Sequence, residues 1–253
     1  MYLQFADDLK IFQSIKSEHD CELLQSNLNA INTWCIKNAL NLNVSKCKIL
    51  TFTRKQYPIC FDRYHVNGQS IERVNSFKDL GVTFDTMLSF KDHISNTVAS
   101  ASKCLGYLVR NWSNFANVNS LKILYFTFVR SKLDYAALIW APIYSNAINL
   151  VESVQRRALK YLFFKCTGSY PQRGIDNSIL LESFSIDSML TRRNLSALAF
   201  LYKLLHSRID CPLLLSYINF NVPRLGSRHH LTFYCNIGQK EPITRACTIY
   251  YSV

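Results

Sequence analysis

The sequence lacks several patterns on which common types of site depend. Its nine cysteines are odd in number and include no Cys-x-x-Cys pair, so we expect reduced, mostly buried thiols in place of a zinc site or disulfides. No apolar run approaches the length of a membrane span, and Gln4, Asp7 and Asp8 interrupt any apolar core of a secretion signal. No spacing supports Ser/His/Asp or Cys/His catalysis, and His229-His230 is expected in an exposed loop. We therefore expect a soluble, intracellular protein, cytoplasmic or nuclear and not secreted, with no membrane partner.

Composition and charge favour a folded protein that binds a polyanion. The chain has 253 residues, of which 49% are hydrophobic, enough for one or two packed domains and too many for disorder. Residues 91–170 hold ten Lys and Arg against three Asp and Glu, a net charge of +7, whereas residues 1–90 carry +1 and residues 171–253 carry +4. A concentrated basic segment is typical of nucleic-acid binding, and solubility alone is the alternative.

The residues before Asp85 show period-two patterns with one helix among them. Apolar runs on either side of Ala6 predict a hairpin, and helical spacing predicts a helix over 18–34 capped by Ser17. Asn67-Gly68 predicts a second hairpin, because two-residue β-turns favour this pair. The predicted strands are 1–5, 9–12, 48–53, 64–66, 69–74 and 76–84.

After Asp85 the apolar period becomes helical. Four stripes of apolar residues predict helices that bury Ile94, Val98, Ala101, Leu105 and Leu108; Leu121, Leu124, Tyr125 and Phe128; Leu150, Val151, Val154, Ala158 and Tyr161; and Leu190, Ala197, Leu198, Leu201, Leu204 and Leu205. Trp112, Phe115 and Trp140 are expected as core aromatics, with stacking on bases as the alternative. The predicted class is α+β, with divisions at 1–88, 89–170 and 171–253.

The most informative short pattern is Phe5-Ala6-Asp7-Asp8, between the strands of the first predicted hairpin. Two adjacent carboxylates at a tight turn repel one another, and a cation that prefers oxygen ligands, Mg²⁺ or Mn²⁺, relieves that repulsion. Asp7 and Asp8 are therefore candidate metal ligands for phosphoryl or nucleotidyl transfer. An ordinary Ala-Asp-Asp turn without a metal is the alternative.

Longer motifs accompany this pair in a fixed order. They include Leu9-Lys10-Ile11-Phe12, Leu28 to Cys35, Leu40-Asn41-Leu42-Asn43-Val44-Ser45-Lys46-Cys47-Lys48 and Phe77-Lys78-Asp79-Leu80-Gly81-Val82-Thr83-Phe84-Asp85, followed by His93-Ile94, Leu133-Asp134-Tyr135, Gln155-Arg156-Arg157 and Arg192-Arg193. In order and spacing they resemble the reverse transcriptase of non-LTR (LINE-like) retrotransposons. The resemblance implies a C-terminal fragment: a partial polymerase palm with antiparallel hairpins and a packed helix, then an all-α thumb and a C-terminal helical extension.

The resemblance also implies roles for individual residues. Asp7 and Asp8 match carboxylates that help hold two divalent metals, Asp7 being the more important. Lys46 falls near the incoming triphosphate, where its ammonium neutralises charge, unless it is simply a solvated lysine. Leu80-Gly81 falls at the primer grip, unless it is a plain β-turn or a β-bulge. The implied partners are an RNA template, a DNA primer and deoxynucleoside triphosphates.

The basic segment contains a candidate thumb helix. Arg156, Arg157 and Lys160 share the helix face opposite its apolar stripe, so they are available to a phosphate backbone. We expect them to bind nucleic acid.

The sequence begins four residues before Phe5, whereas the family's further metal-binding Asp and its fingers precede the Ala-Asp-Asp hairpin. We therefore expect that this chain alone is not a competent polymerase; a non-catalytic RNA- or DNA-binding remnant is the alternative. We also expect the first strand, without that neighbour, to favour self-association through its edge.

Overall fold

Strands and helices are unevenly divided along the chain. The structure, a computed structural model, describes residues 1–53, 63–112, 117–221, 232–234 and 241–251. Within these ranges every named strand precedes Lys91, and helices make up most of the chain from Lys91 onward. Two units result, residues 1–90 and residues 91–253. This arrangement agrees with the α+β class. The predicted palm, thumb and extension remain predictions.

The described residues of the first unit form four two-stranded sheets and one long helix. Its elements are β1 Tyr2–Phe5, β2 Asp8–Ile11, α1 Glu18–Lys37, a 3₁₀ turn Val44–Lys46, β3 Lys48–Ile49, β4 His65–Val66, β5 Gln69–Ser70, β6 Glu72–Arg73, β7 Ser76–Asp79 and β8 Val82–Asp85. Strands β1–β2, β4–β5 and β7–β8 pair antiparallel, whereas β3 and β6 pair in parallel.

Helix α1 is fixed at its start by a local cap and along its length by the second hairpin. The Ser17 side chain accepts a hydrogen bond from the Asp20 N–H, and the Asp20 carboxylate accepts one from the Ser17 N–H, which forms a capping box. The helix buries Cys21 against Tyr64 and Val66. In addition, the Gln25 amide donates to the His65 carbonyl oxygen at 2.8 Å and accepts from the His65 N–H at 2.9 Å. The predicted cap and the Asn67-Gly68 turn are confirmed.

Three strand predictions need correction. Residues 76–84 do not form one strand, because the chain reverses at Leu80 and Gly81, where φ is 43° and 85°, and returns as β8. The segment 69–74 is divided into β5, which pairs with β4, and β6, which pairs with β3. Of the segment 48–53, only Lys48–Ile49 is a strand. Each error arises because short alternating runs do not identify their pairing partners.

The second unit is helical. Its elements are α2 Lys91–Asn111, α3 Val118–Tyr125, a π-helical turn Phe126–Arg130, α4 Ser131–Asp134, α5 Ala137–Trp140, α6 Ser145–Thr167, α7 Asn177–Phe184, α8 Met189–Leu205, α9 Pro212–Leu215 and α10 Pro242–Tyr250. None of these helices, nor α1, is long and apolar enough to cross a membrane.

The buried stripes agree with the sequence at most positions, with three exceptions. All five predicted positions of α2 are buried. Phe128, however, is 50% exposed, and Val129 is buried in its place. The π-turn explains this, because its wider winding keeps residues four apart, from Leu121 to Leu133, on one face. The predicted buried positions Leu150 and Leu190 are also wrong, since both are more than 40% exposed.

Two of the three singled-out aromatics belong to the core. Trp112 and Trp140 are each 1% exposed, so the core prediction is confirmed for both. The Trp140 ring packs edge-on against His93, with 5.2 Å between ring centroids. Phe115 and His229-His230 lie outside the described residues. Among the described residues, no disulfide joins the cysteines at 21, 35, 47, 104, 166, 211 and 247, and Cys166 is exposed.

Candidate metal-binding hairpin and basic helix

The carboxylate pair lies at the end of the first hairpin. Phe5 pairs with Asp8 across the two strands, so Ala6 and Asp7 form the connecting turn. Ala6 has φ of 52°, a left-handed conformation that costs an alanine roughly 1 kcal/mol or more. The Gln4 side chain supports the turn by donating to the Ala6 carbonyl oxygen at 3.2 Å. The local sequence therefore places Asp7 in a strained turn and Asp8 at the first position of the strand that follows it.

Both carboxylates are available to a ligand. Asp7 and Asp8 are exposed, and neither side chain has a hydrogen bond or ion pair with another described residue. Within the described ranges no group of three or more His, Cys, Asp and Glu is close enough to bind a metal ion together. Mg²⁺ is commonly held by only one or two carboxylates, with water and substrate phosphates completing its shell. The pair fits that mode of binding.

An ion pair connects this hairpin to a second one. Lys10 lies two residues after Asp8, on the same face of β2, and its Nζ is 2.7 Å from Asp79 Oδ2 at the end of β7. Both side chains are about three-quarters buried. Asp79 immediately precedes the turn at Leu80 and Gly81. The ion pair therefore joins the Asp7–Asp8 hairpin to the hairpin that carries the Leu80-Gly81 turn, although the two hairpins form separate sheets and are far apart in the sequence.

The Leu80-Gly81 turn is itself strained. Both residues have positive φ, 43° and 85°, the arrangement of a type I′ turn, which matches the twist of paired strands. Glycine takes this conformation without cost, whereas Leu80 does so at roughly 1–3 kcal/mol. The Leu80 side chain is 42% exposed. An apolar side chain is thus held outward beside a glycine.

Lys46 ends the 3₁₀ turn and is exposed. The Asn43 side chain accepts a hydrogen bond from the Lys46 N–H and so caps the turn. Beside it, a shallow groove of about 530 Å³ runs between residues 41–45 and the turn that joins β4 to β5. No hydrogen bond or ion pair joins the Lys46 ammonium to the Asp7–Asp8 turn or to any other described side chain.

The three cations of α6 lie on its solvent side. Arg156 and Arg157 are exposed and Lys160 is half-buried, whereas Val151, Val154, Ala158 and Tyr161 are buried. Arg157 donates through Nη2 to Ser102 Oγ of α2 at 2.6 Å. Arg156 lies near the Asp176 carboxylate, whose pKa is held below its usual range mainly by the Ser178 N–H and hydroxyl and, more weakly, by that charge. Of the three cations, Lys160 has no partner among the described residues.

Buried polar contacts fix the orientation of α6. Gln155 is fully buried, and its Oε1 accepts from the Tyr125 hydroxyl at 2.9 Å while its Nε2 donates to the Asp187 carbonyl oxygen at 2.8 Å. Glu152 Oε1 accepts from the Leu190 N–H at 2.8 Å, in the first turn of α8. These bonds hold one face of the helix inward, so the cations are held outward.

The downstream motifs have structural roles that the sequence did not reveal. Asp134 accepts two hydrogen bonds from Arg192, at 2.9 and 3.2 Å, so the segments 133–135 and 192–193 meet directly. Arg130 Nε is 3.8 Å from the same carboxylate. Lys10, Asp79, Asp134 and Arg192 were not predicted as partners. Spacing could not have indicated them, because the members of each pair lie far apart in the sequence.

Comparison with known proteins gives one informative likeness. The chain is 25% identical over 162 residues to the RNA-directed DNA polymerase from mobile element jockey of Drosophila funebris. The aligned part covers 62% of this chain and 17% of that protein, so the chain corresponds to a small segment of this relative. No family model matches the chain, and no solved structure matches it either. The chain is therefore similar to part of a retrotransposon reverse transcriptase.

Proposed function

We propose that this chain is part of the RNA-directed DNA polymerase of a retrotransposon. In this proposal the first unit supplies one side of a nucleotidyl-transfer site, and the second unit binds the RNA template and DNA primer. The observation that carries it is the exposed Asp7–Asp8 pair, joined through Lys10 and Asp79 to the Leu80-Gly81 turn, in a chain similar to a mobile-element polymerase.

Asp7 and Asp8 would hold the divalent cation, Mg²⁺ or Mn²⁺. When bound, such a cation stabilises negative charge on the phosphates and lowers the pKa of a coordinated hydroxyl. The chain's own contribution would be positional: the strained turn would set where Asp7 and Asp8 lie at the end of the hairpin, and the Lys10–Asp79 pair would hold the hairpin that carries them. Leu80 and Gly81 would lie against the primer backbone.

Charged side chains outside the hairpin would hold the phosphates. Lys46 would neutralise the triphosphate of the incoming nucleotide. Arg156, Arg157 and Lys160 would contact the backbone of the primer–template duplex, where each neutralised phosphate releases counterions. These contacts carry no base specificity, so they fit a protein that copies any sequence.

A non-catalytic RNA- or DNA-binding remnant is the second candidate. The observation that favours it is the basic face of α6, where Arg156 and Arg157 are exposed and would need no metal to contact phosphates. The two candidates make different predictions for Asp7→Asn. The remnant binds nucleic acid equally well with this substitution, whereas the polymerase segment loses its response to divalent cations.

Two measurements test the proposal. Titration with Mn²⁺ should broaden the backbone NMR signals of Ala6, Asp7 and Asp8 selectively, and Asp7→Asn with Asp8→Asn should abolish this effect. A primer-extension assay should show that the chain alone binds primer–template but does not extend it, whereas a chain carrying the upstream palm and fingers of its parent extends it and stops doing so with Asp7→Asn. Uniform broadening with no response to the substitutions would refute the metal site.

A further inference from the structure

The chain reverses direction directly after α6. Gly168, with φ of 76°, ends the helix and donates its N–H to the Phe164 carbonyl oxygen at 2.8 Å. Glycine suits this left-handed position. The reversal places the Tyr170 ring flat on the Phe164 ring, with 4.6 Å between centroids and 14° between planes. Tyr170 nevertheless remains 60% exposed.

The two stacked rings are anchored to the core. Phe164 contacts Tyr161 at 6.1 Å, and Tyr161 contacts Trp112 at 5.4 Å between ring centroids. Trp112 is 1% exposed, and the Tyr161 hydroxyl donates to the Val109 carbonyl oxygen of α2 at 3.3 Å. A row of four rings thus leads from the buried Trp112 to the exposed Tyr170. Such a ring is already ordered before any ligand arrives, so binding to it costs little side-chain entropy.

Positive charge lies along the same helix. Lys160 is one turn before Phe164, and Arg156 and Arg157 are one further turn away, so cations and rings together span about 12 Å of helix. After Tyr170 the chain runs back along α6, since Asp176 lies near Arg156. Asp176 lies near the Arg156 end of the basic face and offsets part of the Arg156 charge. The stretch from Arg157 to Tyr170 therefore combines cations with an exposed aromatic face.

We infer that Tyr170, supported by Phe164, is a stacking platform for an unpaired base of a single-stranded nucleic acid whose backbone lies along Arg157 and Lys160. This inference rests on the proposed nucleic-acid binding of the second unit and adds a specific site to it. Every base has a π-face, so the platform accepts any sequence, and the cations supply the phosphate contacts that such sites require. A base inside a duplex is already stacked and does not fit.

The test measures binding of the full chain to labelled oligonucleotides by fluorescence anisotropy. The probes are a single-stranded RNA and a single-stranded DNA of the same sequence, about 12 nucleotides long and so within the usual site sizes, together with the corresponding duplex. Tyr170→Ala should weaken single-strand binding about fivefold to 150-fold and leave its salt dependence unchanged. Tyr170→Phe should bind as the original chain does.

Three further variants separate stacking from other effects. Tyr217→Ala is the matched control, because Tyr217 is also 60% exposed, and it should not change affinity. Tyr170→Leu keeps apolar cover over Phe164 but has no ring, so it should lose binding as Tyr170→Ala does. Lys160→Ala should instead lower the salt dependence of log K by about 0.7 on single strands.

The outcomes are distinct. A loss on single strands that Tyr170→Phe restores supports the platform, and a loss confined to RNA or to DNA assigns it to that strand. Equal affinity of Tyr170→Ala, Tyr170→Leu and the original chain would overturn the platform and leave the proposed function intact. An equal loss of affinity of Tyr170→Ala for single strands and for duplex would also overturn the platform and leave the proposed function intact. If the original chain bound no nucleic acid, the proposed function itself would fail.

Discussion

Replacing Gln155 by leucine should destabilise the second unit strongly, although the new side chain is apolar and of similar size. The buried Gln155 amide links the Tyr125 hydroxyl to the Asp187 carbonyl oxygen. Tyr125 is itself fully buried, and burial raises its pKa above its usual range. A buried hydroxyl needs an acceptor, and the Gln155 oxygen supplies it.

The size of the effect depends on the groups left behind. An unpaired buried hydroxyl costs about 1–3 kcal/mol. The Asp187 carbonyl is only partly buried, so water can replace its lost partner and its contribution is smaller. We expect Gln155→Leu to lower the free energy of unfolding by about 2–4 kcal/mol, a large part of the 5–15 kcal/mol typical of a domain. Tyr125→Phe, which leaves only the Gln155 oxygen unpaired, should cost about 1–2 kcal/mol.

The assay is urea unfolding followed by tryptophan fluorescence, because Trp112 and Trp140 are both buried in the second unit. The double variant Tyr125→Phe with Gln155→Leu should cost less than the two single changes added together, by about 0.5–2 kcal/mol, since it removes the hydroxyl that Gln155→Leu leaves unpaired. Gln172→Leu, at an exposed position, is the matched control and should have little effect. Strict additivity, or a loss below about 0.5 kcal/mol for Gln155→Leu, would refute this account of how α6 is held.

Four further predictions concern the hairpins and the basic face. Lys10→Met and Asp79→Asn should each destabilise the first unit, with a coupling of about 1–2 kcal/mol in a double-mutant cycle, and zero coupling would show that the pair does not join the hairpins. Replacing Arg156, Arg157 and Lys160 together by Ala should lower the slope of log K against log salt for duplex binding by about 2–3. Lys203→Ala on α8 is the control. An unchanged slope in the triple variant would contradict the proposed contact. Partial burial raises the pKa of Asp85, but hydrogen bonds from the N–H groups of Ser89, Phe90 and Met87 outweigh burial, so the pKa is lowered. The stabilising effect of Asp85 is therefore present above pH of about 4 and is lost as the pH falls through the lowered pKa. The free energy of unfolding should depend less on pH in Asp85→Asn, and an identical pH profile would exclude the effect. Apolar residues of the β1 edge, Tyr2 and Leu3 among them, are more than half exposed. Leu3→Lys should therefore reduce any self-association measured by analytical ultracentrifugation. Self-association that is unchanged in Leu3→Lys would show that the β1 edge is not the contact.

Much of the local structure could be predicted from the sequence. Ser17 and Asp20 form the predicted cap of α1, Asn67 and Gly68 form the predicted turn, and the five predicted positions of α2 are buried. The Asp7–Asp8 pair lies at the end of a hairpin, as its flanking alternation indicated. Each of these features depends on residues within a few positions of one another, and propensity, capping and periodicity act over that distance.

Other features depended on strained local turns or on residues that are far apart in the sequence. Whether residues 76–84 formed one strand or two was decided by a strained turn at Leu80, and Phe128 was left exposed because a π-turn shifted its helix face. Lys10 meets Asp79 only because the two hairpins pack in particular positions, whereas Phe164 supports Tyr170 because the chain reverses at Gly168. A sequence pattern indicates which residues suit a strand or one face of a helix. The element against which that face packs depends on the packing of the complete unit. The sequence alone therefore indicated the chemistry of the carboxylate pair and the basic helix, and the tertiary structure decided which side chains hold each of them in place.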